Sequence, residues 1–251
     1  MIFNALVLAG TRPDGDPLAQ AEGVSHKGLI VVGGEPIIAR VLAALREAGA
    51  ARIGVVADDP AIVSIARDFG AEIVAPAPGP SASAAAGFAR IGASLVVTTS
   101  DHALLRAAWV RQLVGEAPSG CDVAVMLARR DAVERAMPGS QRTYLRFADG
   151  EWSGCNLFLL NTPAANAALA AWQRIEADRK RPWKIVSRLG PMTLFDYWRG
   201  RLSLEEGLAR LGRRIGVKAA LVAARDGLAA VDVDKPADLI AVREVLVGTR
   251  P

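Results

Sequence analysis

A chain of 251 residues, 51% of them hydrophobic, can bury a sizeable core and reads as one α/β domain, or as such a domain with a small lobe. The net charge of +4 would permit a nucleic-acid partner, but Lys and Arg are scattered, with short clusters such as Arg179 to Arg181. Aromatic residues are only 5%, too sparse for a platform that stacks single strands, so anionic small substrates or a plain solvated basic face are expected instead. The cysteines, Cys121 and Cys155, show neither metal-ligand nor disulfide spacing, and with no basic leader before Asn4 and no apolar span of bilayer length the expectation is a cytoplasmic protein without an integral membrane segment.

The apolar run Ile2 to Ala9 reads as a buried parallel strand, and the carboxyl ends of such strands are where open α/β sheets bind ligands. It delivers Gly10, whose missing side chain lets backbone amides approach an anion, then Arg12, a planar fork for phosphate. Lys27 follows after a loop as a mobile point charge. The set suits a polyphosphate; it reads equally as an ordinary surface loop with two solvated cations. No G-x-x-x-x-G-K-[ST] occurs, which argues against a P-loop ATPase, and no G-x-G-x-x-G follows the first strand, which argues against a nicotinamide-binding protein.

The order LAGTR, variable loop, HKGLIVVGGEPII resembles the opening of nucleotidyltransferases of GT-A-like fold, the molybdenum-cofactor nucleotidyltransferase-like group. That family's pattern is L-A-G/A-G-x-x-R, then K-x-L-x-x-x-G-G-x-P. This chain departs from it with Thr11 at the second Gly and Gly28 directly after the Lys. The resemblance implies that Leu8, Ala9, Gly10, Arg12 and Lys27 contact the nucleotide, with Arg12 and Lys27 as the catalytic cations.

Beyond Pro36 the pattern alternates. A helix with Ile37, Ile38, Val41, Leu42 and Leu45 on one face ends at Gly49, and strand Arg52 to Ala57 follows. A helix opened by Pro60 stops at Gly70 before strand Ala71 to Ala75. The passage APAPGPSASAAAGFARI turns from a Pro/Gly loop into an Ala-rich helix, with Ser81 or Ser83 as N-cap. In the family this loop and helix start contact the base, which makes Ser81 and Ser83 candidates; plain capping is the alternative. Strand Ala93 to Thr99 ends at Ser100, Asp101 and His102. A carboxylate there reaches the phosphate crevice, and Mg2+ favours hard oxygen ligands, so Asp101 is the leading metal residue. The family also places an Asp after this strand. His102 either touches substrate or is structural.

Arg106 to Gly115 reads as a helix, Asp122 to Ala128 as a strand, and Arg129 to Arg135 as a charged segment. From Thr143 the periodicity becomes that of an antiparallel hairpin, turned at Ala148-Asp149-Gly150 and continued by Trp152 to Leu160. Arg142 and Arg146 would serve an anionic acceptor, or lie exposed on a half-buried strand. The family element at the start of a late strand makes Gly154 and Asn156 acceptor contacts. Cys155 has no His and acid partners in view and reads as a small apolar residue. Pro163 to Gly212 is helical, with Arg179, Lys180, Arg181, Lys184 and Arg188 around Pro182-Trp183. It reads as a lid whose Lys184 or Arg188 holds the acceptor phosphate, as a solvated face, or as a basic surface meeting an anionic membrane.

After strand Gly216 to Ala223 comes V-D-V-D-K-P-A-D-L, in which Asp232 and Asp234 fall two apart on extended chain and so share a face. Their mutual repulsion would be offset by a divalent cation. Asp238, in the first turn of the helix opened by Pro236, reads as structural. The stretch is similar to the family's closing D/N-x-D/N-T-P-x-D-L, with Lys235 in place of Thr, and the resemblance adds Asp232 and Asp234 to Asp101 as Mg2+ ligands.

The expected fold is therefore a three-layer α/β/α Rossmann-like (GT-A-like) mostly parallel sheet with an antiparallel excursion and a helical insertion. It forms one domain over 1–251: a nucleotide-binding half over 1–128, an acceptor or lid region over 129–215, and a closing strand and helix over 216–251. The expected function is Mg2+-dependent transfer of a nucleoside monophosphate from a nucleoside triphosphate, CTP or GTP, to a phosphorylated small molecule, with release of pyrophosphate. A GT-A-type glycosyltransferase and a non-catalytic nucleotide-binding module are the alternatives.

Overall fold

The structure, a computed structural model, describes residues 2–11, 15–140, 142–177 and 190–248. The first strand, β1 (Asn4–Ala9), is followed by a short helix α1 (Pro17–Ala21) and by a two-strand antiparallel ribbon of β2 (Val31–Val32) and β3 (Glu35–Pro36). Helix α2 (Ile37–Ala48) is stopped by Gly49, whose left-handed φ of 95° a side chain would disfavour. Then come β4 (Ile53–Ala57), α3 (Pro60–Asp68), β5 (Glu72–Val74), α4 (Pro80–Ile91), β6 (Leu95–Thr99) and α5 (Ala107–Glu116). Strands β4 and β6 pair with β1 on either side, and β5 pairs with β4, all parallel. The repeated βα winding expected for this half is what forms.

Strand β1 is apolar throughout because both its faces are covered. Ala5, Val7 and Ala9 point into the core shared with α2, α3 and α5, while Leu6 points into a second core with Phe88 and Ile91 of α4.

The second half departs from simple winding. Strand β7 (Val123–Arg129) leads into α6 (Arg130–Ala136), so the charged segment is a helix. The hairpin is β8 (Leu145–Phe147) with β9 (Gly150–Leu160), and β9 inserts antiparallel between β6 and β7 in the body of the sheet. Next come α7 (Ala165–Ala177), α8 (Pro191–Trp198), α9 (Leu204–Ile215), β10 (Ala219–Ala223) and α10 (Pro236–Gly248). The sheet order is β10-β7-β9-β6-β1-β4-β5. Helix α10 returns Leu239 and Val242 to the β1 core, and α7 returns Leu169 to the opposite core, giving the α/β/α layering. No helix among the described residues is long and apolar enough to cross a membrane.

Two local expectations are corrected. Helix α4 begins at Pro80, with Gly79 as a cap that offers no side chain, so neither Ser81 nor Ser83 is the N-cap. Proline at the first helical position has no N–H to satisfy, so the helix starts one residue before the first serine. The segment carrying Asp232 and Asp234 is not a sheet strand; it is irregular chain between the 3-10 turn Gly227–Ala230 and α10.

Candidate active site

The carboxyl ends of β1 and β6 and the approach to α10 converge on Lys27. This lysine sits on a 3-10 turn, Lys27–Leu29, capped by His26, whose Nδ1 accepts from the Gly28 N–H at 2.9 Å. The His26 ring also hydrogen-bonds to the backbone of Gly10, which ties the end of β1 to the turn that carries Lys27. Burial lowers the His26 pKa, so the ring stays neutral and keeps Nδ1 available as an acceptor.

The Lys27 Nζ donates to Asp101 Oδ2 at 2.7 Å, to Asp234 Oδ1 at 2.6 Å and to the Val233 carbonyl at 3.2 Å, and Asp16 Oδ2 lies 3.9 Å away. Burial alone would lower the Lys27 pKa, but the carboxylates of Asp101 and Asp234 outweigh it and hold the ammonium above its ordinary value. Asp101 shows the converse. Burial would raise its carboxyl, and Lys27, helped by a 2.5 Å hydrogen bond from the Thr99 hydroxyl, pulls it below the usual range. Residues 74 and 207 positions from Lys27 are thus brought onto one ammonium.

Asp232 has different partners. It takes Arg142 on Oδ1 and the Asn156 amide on Oδ2 at 2.8 Å. Its carboxyl is raised, by burial first; Arg142 opposes this, while Asp101 and Asp234 add to it. Asn156 reaches Asp232 from a bulge in β9. The pairing with β7 shifts register between Val125 and Leu127, and Asn156 adopts a left-handed φ of 48°, which re-aims its side chain. Arg142, an expected acceptor contact, is a largely buried ion-pair member, held by Asp232 and, at 3.4 Å, by Asp238, while Arg146 is exposed and bound to Glu151. Asp238 also accepts from the N–H groups of Asp234 and Lys235, the structural helix-start role expected of it.

Beside this ion network lies a cavity of about 330 Å³ lined by Gly154, Asn156, Asp232 and Asp234, among others. Three of the expected acceptor contacts, Arg142, Gly154 and Asn156, therefore line one space with two of the expected metal residues, Asp232 and Asp234.

A family model of the MobA-like NTP transferase domain matches residues 5–192. The chain belongs to that family. A hypothetical transferase from Thermus thermophilus is 31% identical, with a TM-score of 0.83 over 95% of this chain and all of that one. A CMP:2-keto-3-deoxy-manno-octonic acid synthetase solved with CTP shares the fold at 18% identity and a TM-score of 0.60, over the full length of both chains. A nucleotidyl transferase from Methanothermobacter shares it at 17% and 0.62, over 99% of each chain. No curated protein matches the sequence significantly.

In this MobA-like transferase, Leu8 and Ala9 form the end of β1, and Gly10 stands beside Pro76, so the loop before α4 borders the start of the loop that follows β1. Arg12 and Lys184, with the rest of the basic stretch Arg179 to Arg188, lie outside the described residues. Ser81 and Ser83 are buried and engaged: the Ser81 hydroxyl donates to Glu176, and Ser83 Oγ accepts from the Ala77 N–H and donates to its carbonyl. His102 is buried, stacked on Trp109 and 3.4 Å from the Thr98 hydroxyl, and burial lowers its pKa to about 4, as a structural residue requires. Burial pushes the Cys155 thiol up, away from nucleophile chemistry.

Sequence reading missed His26, Asp16 and Asp58. Asp58 accepts from both the N–H and the hydroxyl of Thr11, at 3.1 and 2.7 Å, so Thr11 replaces a flexible glycine with a tethered loop start. Position alone offered one clue: Asp58 follows β4 as Thr11 follows Gly10 at the end of β1, and those strands pair in parallel register.

Proposed function

We propose that this chain transfers a nucleoside monophosphate from CTP or GTP to a phosphorylated small molecule, with Mg2+ as the metal. Family membership carries the general reaction, nucleotidyl transfer with release of pyrophosphate. The observation that supports the finer reading is Lys27 clasped between Asp101 and Asp234, the latter also part of the lining of the polar cavity. CTP was bound by one protein of this fold, which favours a cytidine nucleotide as the first to test.

The acids fit a hard divalent cation. Among the described residues no three His, Cys, Asp or Glu side chains form a ready cage. Mg2+ nevertheless needs only one or two carboxylates beside substrate phosphates. Asp101, with Asp232 or Asp234, would hold it, and bound there it would supply charge against the triphosphate. Lys27, released from its carboxylates, is then a cation beside the phosphates. An oxygen of the acceptor phosphate forms a bond to the α-phosphorus, and the bond from that phosphorus to the bridging oxygen breaks, its electron pair leaving with pyrophosphate. No protein nucleophile takes part, and positioning and charge supply the acceleration.

Lys27→Ala and Asp101→Ala are each expected to lower turnover by roughly 10² or more. The measurement is pyrophosphate release from each of the four triphosphates with candidate phosphomonoesters. Near-normal turnover in both folded variants would overturn the assignment, and release of nucleoside diphosphate in place of pyrophosphate would indicate glycosyl transfer.

A further inference from the structure

Helix α4 starts without a cap of its own. Gly79, the residue before it, has no side chain, and Pro80 has no N–H, so the first donor in need of a partner is the Ser81 N–H. That partner comes from a distant part of the chain. Glu176, near the end of α7, accepts from the Ser81 N–H on Oε2 at 3.1 Å and takes the Ser81 hydroxyl on the same oxygen. In its own helix this carboxylate stands in the last turn, where the backbone dipole disfavours an acid; against the first turn of α4 the dipole favours it. The backbone also leaves room for it. Gly79 holds a left-handed φ of 88°, and a Cβ there would lie 3.0 Å from Glu176 Cδ and closer still to Oε1.

What this contact holds in place is the loop between β5 and α4. Ser83 Oγ ties the loop locally through the Ala77 N–H and carbonyl, at 3.0 and 3.1 Å, and Pro76 stands beside Gly10 at the end of β1. At this end of the sheet the order is β9 with the 330 Å³ cavity, β6 with Asp101, β1 with Gly10, then β4, then β5 with this loop. A triphosphate whose phosphates lie between Gly10 and the carboxylates around Lys27, and whose acceptor enters from the cavity, therefore has its nucleoside on the side of the β5 loop. We propose that Glu176 is a positioning residue for nucleotide recognition: by capping α4 from α7 it fixes the loop against which the base is read. This rests on the nucleotidyl-transfer reading above. It also gives the helical region after β9, expected to serve the acceptor, a second task on the nucleotide side.

The test uses the full chain with Mg2+ and each of the four nucleoside triphosphates, with dissociation constants read by calorimetric titration. The parent is expected to prefer one base. Glu176→Ala is expected to weaken the preferred triphosphate about tenfold and the other three by less, so that discrimination between bases narrows. Glu176→Gln, which keeps an oxygen for the Ser81 donors, is expected to recover most of both the affinity and the discrimination. Ser81→Ala, which removes one donor of the two, is expected to fall between them, and it decides by the same comparison if Glu176→Ala does not fold. Unchanged constants in the folded variants, an equal loss for all four triphosphates as a merely structural cap would give, or a parent that binds all four alike overturns the positioning role and leaves nucleotidyl transfer standing. No triphosphate binding by the parent overturns both.

Discussion

A neutral histidine holding two backbone groups is what sets the position of the lysine next to it. His26 accepts from Gly28 through Nδ1 and binds the Gly10 backbone with its other side, so the end of β1 and the turn bearing Lys27 are tied together. Removing the ring leaves the Gly28 N–H without its cap. His26→Ala is expected to cost about 1 kcal/mol, the usual scale for a lost N-cap, and to weaken triphosphate binding as well. Asparagine, whose Oδ1 can replace Nδ1 as the acceptor, should recover the stability while leaving the link to Gly10 broken. Urea unfolding and triphosphate titration of both variants check this; an alanine variant as stable as the parent would refute the capping role.

At the scale of elements, close approach rather than side-chain chemistry decides where the acids stand. The 3-10 turn Gly227–Ala230, which leads directly to Asp232, packs against α6 so tightly that a Cβ on Gly227 would lie 2.1 Å from the Ala132 carbonyl oxygen. That neighbour is backbone and cannot rotate aside. Gly227→Ala is therefore expected to destabilise the fold by roughly 1–3 kcal/mol and to shift Asp232 and Asp234, weakening triphosphate binding. Gly115 of α5 has open space around its absent Cβ, so Gly115→Ala should stabilise by up to about 1 kcal/mol through helix propensity. Melting temperatures of the pair moving in opposite directions is the result sought.

The same scale shows what the sequence could and could not convey. Strands buried on both faces and helices punctuated by Pro and Gly are local signals, so the βα winding was legible through Thr99, and strand-end Asp101 with it. The tail acids stood out by spacing and resemblance, but the segment that carries them is irregular chain rather than the strand the spacing suggested. Their partners were not legible: Arg142 meets Asp232 across 90 positions, and Glu176 meets Ser81 across 95, and no local period encodes such pairings. The ion pairs of Arg142 were consequently not foreseen, and Ser81 read as a cap. The insertion of β9 within the sheet is likewise a tertiary fact, fixed by its pairing with β6 on one side and β7 on the other, which its own alternation does not encode.

For the whole molecule, the charge ledger predicts how stability depends on acid. The chain has two histidines, and burial depresses both, His102 to about 4 and His26 below its ordinary value. Asp101 and Arg142 act on His102 with opposite signs, and Asp59 and Asp101 favour charging His26 while Lys27 opposes it; in each case burial prevails. A group whose folded pKa lies below its unfolded value of about 6.5 takes up its proton on unfolding first. Stability from both is thus complete above pH 6.5 and declines as pH falls toward the folded values, with His102 alone contributing a loss of roughly 3 kcal/mol by pH 4. Asp101, Asp58 and Asp59, all held below the usual carboxylate range, lose their contribution only as pH falls below about 4, while the raised carboxyl of Asp232 acts in the opposite sense. The urea midpoint should therefore fall between pH 7.5 and 4.5, and His102→Gln should flatten that fall because the larger of the two histidine contributions is gone. A midpoint that is constant across this window in the parent chain would mean that the buried imidazoles are not held neutral in the folded state.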